Sequence, residues 1–207
     1  DYKTGKKTFD LAELRYGLGL QMLLYLFALE QEGGALFGGK EIVPAGVLYT
    51  PAREPMLRCA RNTADETIEK ARKKELRRSG MVLEDPAVLE AMEHDALDAP
   101  EYLPIAVKKG GALSGSLASE GQFAKLAKYV DRVLREIADE VFAGNINADP
   151  YARTPQQSAC TYCEFASACH FENGRGGDHM EYIKATKTDE FWSYIDEVNG
   201  EGGRKNG

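Results

Sequence analysis

Two groups of residues in this chain have the types and spacing to do chemistry. At the N-terminus Asp1 and Lys3 are two positions apart, so on an extended strand both side chains point to one face. A carboxylate there holds a divalent cation, and the cation lowers the pKa of a bound water. The ammonium then orients that water or stabilises charge developing on a phosphate. Far downstream, Cys160-Thr161-Tyr162-Cys163 is followed after five residues by Cys169. Three thiolates so spaced wrap one face of an iron–sulfur cluster or bind zinc. Both ordinarily take four protein ligands, which leaves the fourth to Cys59, to His170 or to sequence outside this chain.

A third group, the pair Gln21 and Tyr25, lies between them. Gln21 and Tyr25 are four residues apart and therefore share one face of a helix. Leu20, Met22, Leu23, Leu24 and Leu26 surround the glutamine. A buried amide there needs hydrogen-bond partners or costs about 2 kcal/mol or more, and a polar site beneath that face supplies them.

The elements that must position these groups follow from pattern. Asp1–Lys3 reads as the end of a strand, followed by a turn at Gly5. A single helix is expected over Leu11–Gln31, apolar on nearly every side and therefore buried, with Gly33, Gly34, Gly38 and Gly39 ending it. Glu41–Thr50 reads as a strand, although Pro44 and Gly46 weaken its first half. The helical crossover predicts that Asp1–Lys3 and Glu41–Thr50 share one sheet, with Gln21 and Tyr25 turned toward Lys3. Thr63–Ser79 is a charged helical stretch, and Asp85-Pro86 opens a short helix. A hairpin is expected where Leu103–Lys108 and Ala112–Ser116 flank Gly110-Gly111. A long amphipathic helix follows over Ser119–Ala143.

Composition narrows the class. With 43% hydrophobic and 29% charged residues the 207-residue chain is neither disordered nor fibrous. A net charge of −7 counts against a freestanding nucleic-acid binder held by bulk charge. Charge is unevenly spread, however, with Arg58, Arg61, Lys70, Arg72, Lys73, Lys74, Arg77 and Arg78 crowding one stretch. The apolar run Gly17–Leu29 falls short of the ~20 residues of a membrane span, so no membrane is implied. Grouped cysteines suit a reducing, cytoplasmic compartment better than a secreted disulfide framework.

In this order, D-Y-K, a helix with Q-x3-Y, a strand and then C-x2-C-x5-C, the chain resembles the RecB-family branch of the PD-(D/E)XK nucleases that carries an iron–sulfur staple. CRISPR-associated RecB-type exonucleases share the same parts. The resemblance runs from Asp1 to about Phe171. It implies an α/β, restriction-endonuclease-like core over residues 1–172, partial and missing its N-terminal part, with long helices and a C-terminal cysteine-cluster segment. A charged, glycine-containing tail occupies 173–207.

By that resemblance Asp1 is a metal-binding carboxylate for Mg2+, the Tyr2 backbone carbonyl a further ligand, and Lys3 the catalytic lysine. Gln21 and Tyr25 position DNA and catalytic groups, and Cys160, Cys163 and Cys169 are three ligands of a [4Fe–4S] cluster. The family's upstream aspartate, upstream histidine and first cysteine are expected ahead of Asp1. This piece alone is therefore expected to hold no complete cluster and to degrade little DNA. The implied function is a magnesium-dependent DNA exonuclease in a helicase–nuclease complex for double-strand break repair and recombination, with an AddA-like partner subunit. Two other classes remain open: a non-catalytic, cluster- or zinc-stapled DNA-end clamp, and a zinc-ribbon-like interaction module.

Overall fold

A computed structural model describes Tyr2, Lys3, Gly5 and residues 7–200. Asp1, the expected metal-binding carboxylate, lies outside the described residues. In chain order the elements are α1 (Leu11–Arg15), α2 (Gln21–Leu36), β1 (Gly46–Tyr49), α3 (Asp65–Glu75), β2 (Ser79–Leu83), α4 (Pro86–Met92), β3 (Ile105–Val107) and β4 (Leu113–Gly115). Then come β5 (Leu117–Ala118), α5 (Glu120–Ala143), β6 (Tyr151–Thr154), β7 (Gln157–Ser158), α6 (Ala166–Cys169), β8 (Glu181–Tyr182) and α7 (Thr188–Gly200). They collect into two compact units. One takes the chain up to Phe9 together with Leu20–Ala127, and the other takes Asp10–Gly19 together with the chain from Lys128.

The first unit is built on a mixed three-stranded sheet. β1 pairs antiparallel with β2, Val47 opposite Met81, and β5 joins β2 in parallel, Val82 opposite Leu117. As the central strand, β2 is buried from Gly80 to Leu83, which explains its unbroken run of small and apolar residues. Gly80 permits this pairing, since a Cβ added to it would lie 2.0 Å from the Val47 carbonyl oxygen. Val82, Leu89, Ala96, Leu103 and Ile105 form a buried cluster, the larger of them each contributing roughly 1.5–3 kcal/mol. Asp85 caps α4 by accepting the Val88 N–H at 2.9 Å, with Pro86 in the first turn, as the sequence predicts. At the other end of α4 the Glu93 carboxylate accepts the backbone N–H groups of Glu101, Tyr102 and Leu103 at 2.5, 3.0 and 2.7 Å. That latch fixes the approach to the β3–β4 hairpin, which forms around Gly110-Gly111 as expected.

Several expectations are corrected. The helix expected over Leu11–Gln31 is two helices. Gly17, in the left-handed region at φ 71°, closes α1, its N–H bonding Leu14 O and the Leu18 N–H bonding Glu13 O, both at 3.0 Å. This is the Schellman arrangement, which glycine adopts without the steric cost of a Cβ. α2 instead continues through Gly33 and Gly34 to Leu36, and it is not buried all round. Leu23 and Phe27 are buried, while Tyr25, Leu29 and Leu36 are exposed. The strand expected over Glu41–Thr50 shortens to Gly46–Tyr49, since Pro44 has no N–H to offer a ladder. Tyr2 and Lys3 form no strand, so β1 pairs with β2, and β2 in turn with β5, rather than with the N-terminal residues.

In the second unit a small sheet runs β7-β6-β8, with β6 antiparallel to β7 and parallel to β8. The stretch beyond residue 172, read from sequence as a charged tail, supplies both β8 and α7. Helix α7 fully buries Phe191 and Ile195, and the Phe191 and Trp192 rings meet edge to face at 5.2 Å. Just before β8, His179 sits between two carboxylates, Nδ1 2.8 Å from Asp149 Oδ1 and Nε2 2.8 Å from Glu181 Oε1. The hydrogen bond to Glu181 and the charge of Asp149 raise the imidazole above its ordinary pKa.

Helix α5 opens on a reciprocal capping box. The Ser119 N–H donates to Gln122 Oε1 at 2.8 Å and the Gln122 N–H donates to Ser119 Oγ at 3.2 Å. Phe123, Leu126, Tyr129 and Val130 are buried, whereas the same apolar stripe stays exposed at Leu134, Ile137 and Val141.

Candidate active site

Lys3, Gln21 and Tyr25 form one hydrogen-bonded chain in the first unit. Lys3 Nζ donates to Gln21 Oε1 at 2.7 Å, and Gln21 Nε2 donates to Tyr25 Oη at 2.8 Å. Gln21 is the first residue of α2 and Tyr25 lies one turn on, so the helix sets their spacing. The segment carrying Lys3 is tied down where the Phe9 N–H donates to Ser79 Oγ at 2.9 Å, at the start of β2. No local sequence signal marks that anchor, because the two residues are 70 positions apart.

The bonding fixes the direction of each group. An ammonium only donates, so the glutamine carbonyl faces Lys3 and its NH2 faces the phenol oxygen, leaving the phenol proton as a donor to a third group. This brings together the residues that the sequence predicted on one face. The predicted reason is corrected, however: Gln21 is exposed and Tyr25 is 49% exposed, so burial does not compel these bonds. An ammonium and a phenol on an open surface are reachable by an extended polymer without entry into a cavity. Tyr2 is 98% exposed beside them.

The residues expected to hold metal are not assembled to the same degree. Among the described residues no three His, Cys, Asp or Glu side chains gather closely enough to hold an ion. The oxygen donors that the resemblance gives to magnesium are Asp1, outside the described residues, and the Tyr2 carbonyl. Cys160 is half-buried, and Cys163 and Cys169 are exposed, all three as free thiols. A turn in which the Cys163 N–H reaches Cys160 O at 3.3 Å joins the first two, and α6 carries the third at its end. As donors three thiols suit a cluster or zinc, but the geometry does not draw them to one point. Cys59 is exposed on the loop before α3 and His170 on the turn after α6.

Comparison with known proteins adds to this geometry. The profile of the PD-(D/E)XK nuclease superfamily matches residues 1–170. The chain is 33% identical over 199 residues to the AddB component of the ATP-dependent helicase/deoxyribonuclease of Clostridium kluyveri, covering 95% of the chain and 17% of that protein. It is 32% identical over 205 residues to the protein of the same name from Thermoanaerobacter sp., covering 98% and 18%. With that of Acetivibrio thermocellus it shares 34% identity over 197 residues, covering 94% and 17%. The chain thus spans about a sixth of the length of the curated relatives it matches.

Proposed function

Because the chain belongs to the PD-(D/E)XK nuclease superfamily, we propose that it is the nuclease part of an AddB-type component of an ATP-dependent helicase/deoxyribonuclease, hydrolysing phosphodiester bonds in DNA. The observation that carries this reading is the Lys3–Gln21–Tyr25 chain on an open face. Lys3 supplies positive charge to the phosphate as negative charge develops on it. Gln21 holds the ammonium in place, and Tyr25 donates its remaining proton toward the strand being cut. The relatives' names give a deoxyribonuclease joined to an ATP-dependent helicase; the finer proposal is an exonuclease that works in double-strand break repair and recombination with an AddA-like subunit as partner.

Magnesium is the proposed metal, since hard oxygen ligands and phosphate suit it. Asp1 and the Tyr2 carbonyl are its proposed ligands, and when bound it supplies an activated water. A [4Fe–4S] cluster is the proposed occupant of Cys160, Cys163 and Cys169, which must draw closer together to take it. Iron analysis and visible absorbance of the anaerobically purified full-length protein test that assignment, since a colourless zinc protein would refute it.

The test of the nuclease reading is Lys3→Ala in the full-length protein. Cleavage of linear DNA is expected to fall by about 100-fold or more, with DNA binding little changed, because the lysine acts on the transition state. Wild-type cleavage by this variant would remove Lys3 from the mechanism. Tight DNA binding without cleavage by the wild-type protein would favour the end-clamp reading.

A further inference from the structure

We propose that residues 50–78, the excursion between β1 and β2, form an arm that grips the DNA backbone beside Lys3; the proposal rests on the nuclease reading above. Tyr49 and Ser79 face each other across the β1–β2 ladder, so this excursion leaves and re-enters the sheet at one place. Nothing in it packs into the core. No residue from 50 to 78 is buried, and α3 within it buries none. Its side chains are therefore not dictated by burial, which is the main stabilising term of a fold.

Its charge opposes that of the chain. Nine basic residues stand against five acidic ones between positions 50 and 78, in a chain of net charge −7. Some of these basic groups are paired internally: Lys70 with Glu66, Arg72 with Glu54 and Glu69, and Lys73 with Glu101. Arg77 donates to the carbonyls of Leu103, at 3.0 Å, and Ile105, which fastens the returning end of the arm to the rest of its unit. Arg58, Arg61, Lys74 and Arg78 form no ion pair among the described residues. Those four leave an excess of positive charge on a segment with no structural use for it, and three of them carry the planar guanidinium that binds phosphate through two parallel hydrogen bonds. The pairs that do form are exposed and weak, so phosphates can compete for them.

Position selects the occupant. The root of the arm, Ser79, is the residue that anchors Phe9, and Phe9 is six residues from Lys3. A chain of six residues reaches at most roughly 20 Å. Duplex DNA carries a charge for about every 1.7 Å of its axis, so a strand engaged at Lys3 presents many phosphates within reach of the root. An acidic protein surface would match the charge but would have no reason to meet the arm at the catalytic end of the sheet.

The experiment uses the full-length protein carrying Arg58→Ala, Arg61→Ala, Lys74→Ala and Arg78→Ala together. Binding of fluorescently labelled duplex and single-stranded oligonucleotides is measured in EDTA across a range of salt. Four lost phosphate contacts are expected to weaken binding at least ~10-fold at moderate salt and to reduce the slope of log Kd against log salt by about three. The corresponding Arg→Lys substitutions should keep the slope, which a folding defect would not. An unchanged Kd and slope would overturn the arm proposal while leaving Lys3 and the nuclease reading standing. So would loss of association with the partner subunit while DNA binding stays intact, since the arm would then be a protein interface. If the wild-type protein neither binds nor cuts DNA, the nuclease reading itself fails.

Discussion

Tyr129 is 2% exposed, and its hydroxyl lies 2.8 Å from the Leu14 carbonyl oxygen and 3.0 Å from that of Arg15. These are the last two carbonyls of α1; that of Leu14 also accepts the Gly17 N–H, and that of Arg15 lies at the helix end, where the helix itself supplies no donor. Burial, with smaller contributions from Tyr194 beside it, raises the phenol well above its ordinary pKa, so the group remains a proton donor throughout the physiological range. Tyr129→Phe keeps the ring contact with Tyr194 at 6.0 Å and removes only the donor. The expected cost is about 1–2 kcal/mol in denaturant unfolding, and an unchanged midpoint would show that α1 does not depend on it. The trio of Lys3, Gln21 and Tyr25 behaves differently at this scale. Its Gln21–Tyr25 half is legible from spacing alone, because i and i+4 must share a face. Its Lys3–Gln21 half is expected from the helical crossover, but Lys3 lies on no strand, and the bond that ties its segment down, from Phe9 to Ser79, is one that no local pattern announces.

The same contrast holds among elements. Asp85-Pro86 and Gly110-Gly111 are legible because each signal and its partner lie within a few residues. The break at Gly17 is not, since an apolar run fits helical periodicity on both sides of it and the deciding bonds are backbone ones. The parallel pairing of β2 with β5 and of β6 with β8 joins residues tens of positions apart, where propensity carries no information. Exposure of the apolar stripe at Leu134, Ile137 and Val141 is likewise a tertiary fact, because periodicity says which residues share a face but not whether anything covers it. The latch at the end of α4 belongs to this scale. Glu93→Ala removes the acceptor for three backbone N–H groups at once, so it is expected to lose about 1.5–3 kcal/mol and to speed amide exchange at Glu101, Tyr102 and Leu103. Unchanged exchange there would mean that the hairpin holds itself in place.

At the scale of the whole molecule the two compact units invite separate measurement, and Trp192, the single tryptophan, reports on the second alone. His179 has a raised pKa in the folded chain, with Glu181 the larger cause and Asp149 the next. Its contribution is therefore fully present below the unfolded value near 6.5 and is lost as pH rises through the folded one. The urea midpoint read from Trp192 fluorescence is expected to fall across that window, and His179→Gln should flatten the change; a wild-type midpoint independent of pH would show that the bridge holds nothing together. In the first unit a different limit applies, and it concerns what the gene can tolerate. The space facing Gly80 is already filled by the backbone of β1, and every other amino acid brings the Cβ that does not fit there. In a library randomised one codon at a time and scored for soluble expression, codon 80 should return glycine alone, with alanine failing as surely as tryptophan, whereas the codons of the exposed arm should accept almost anything.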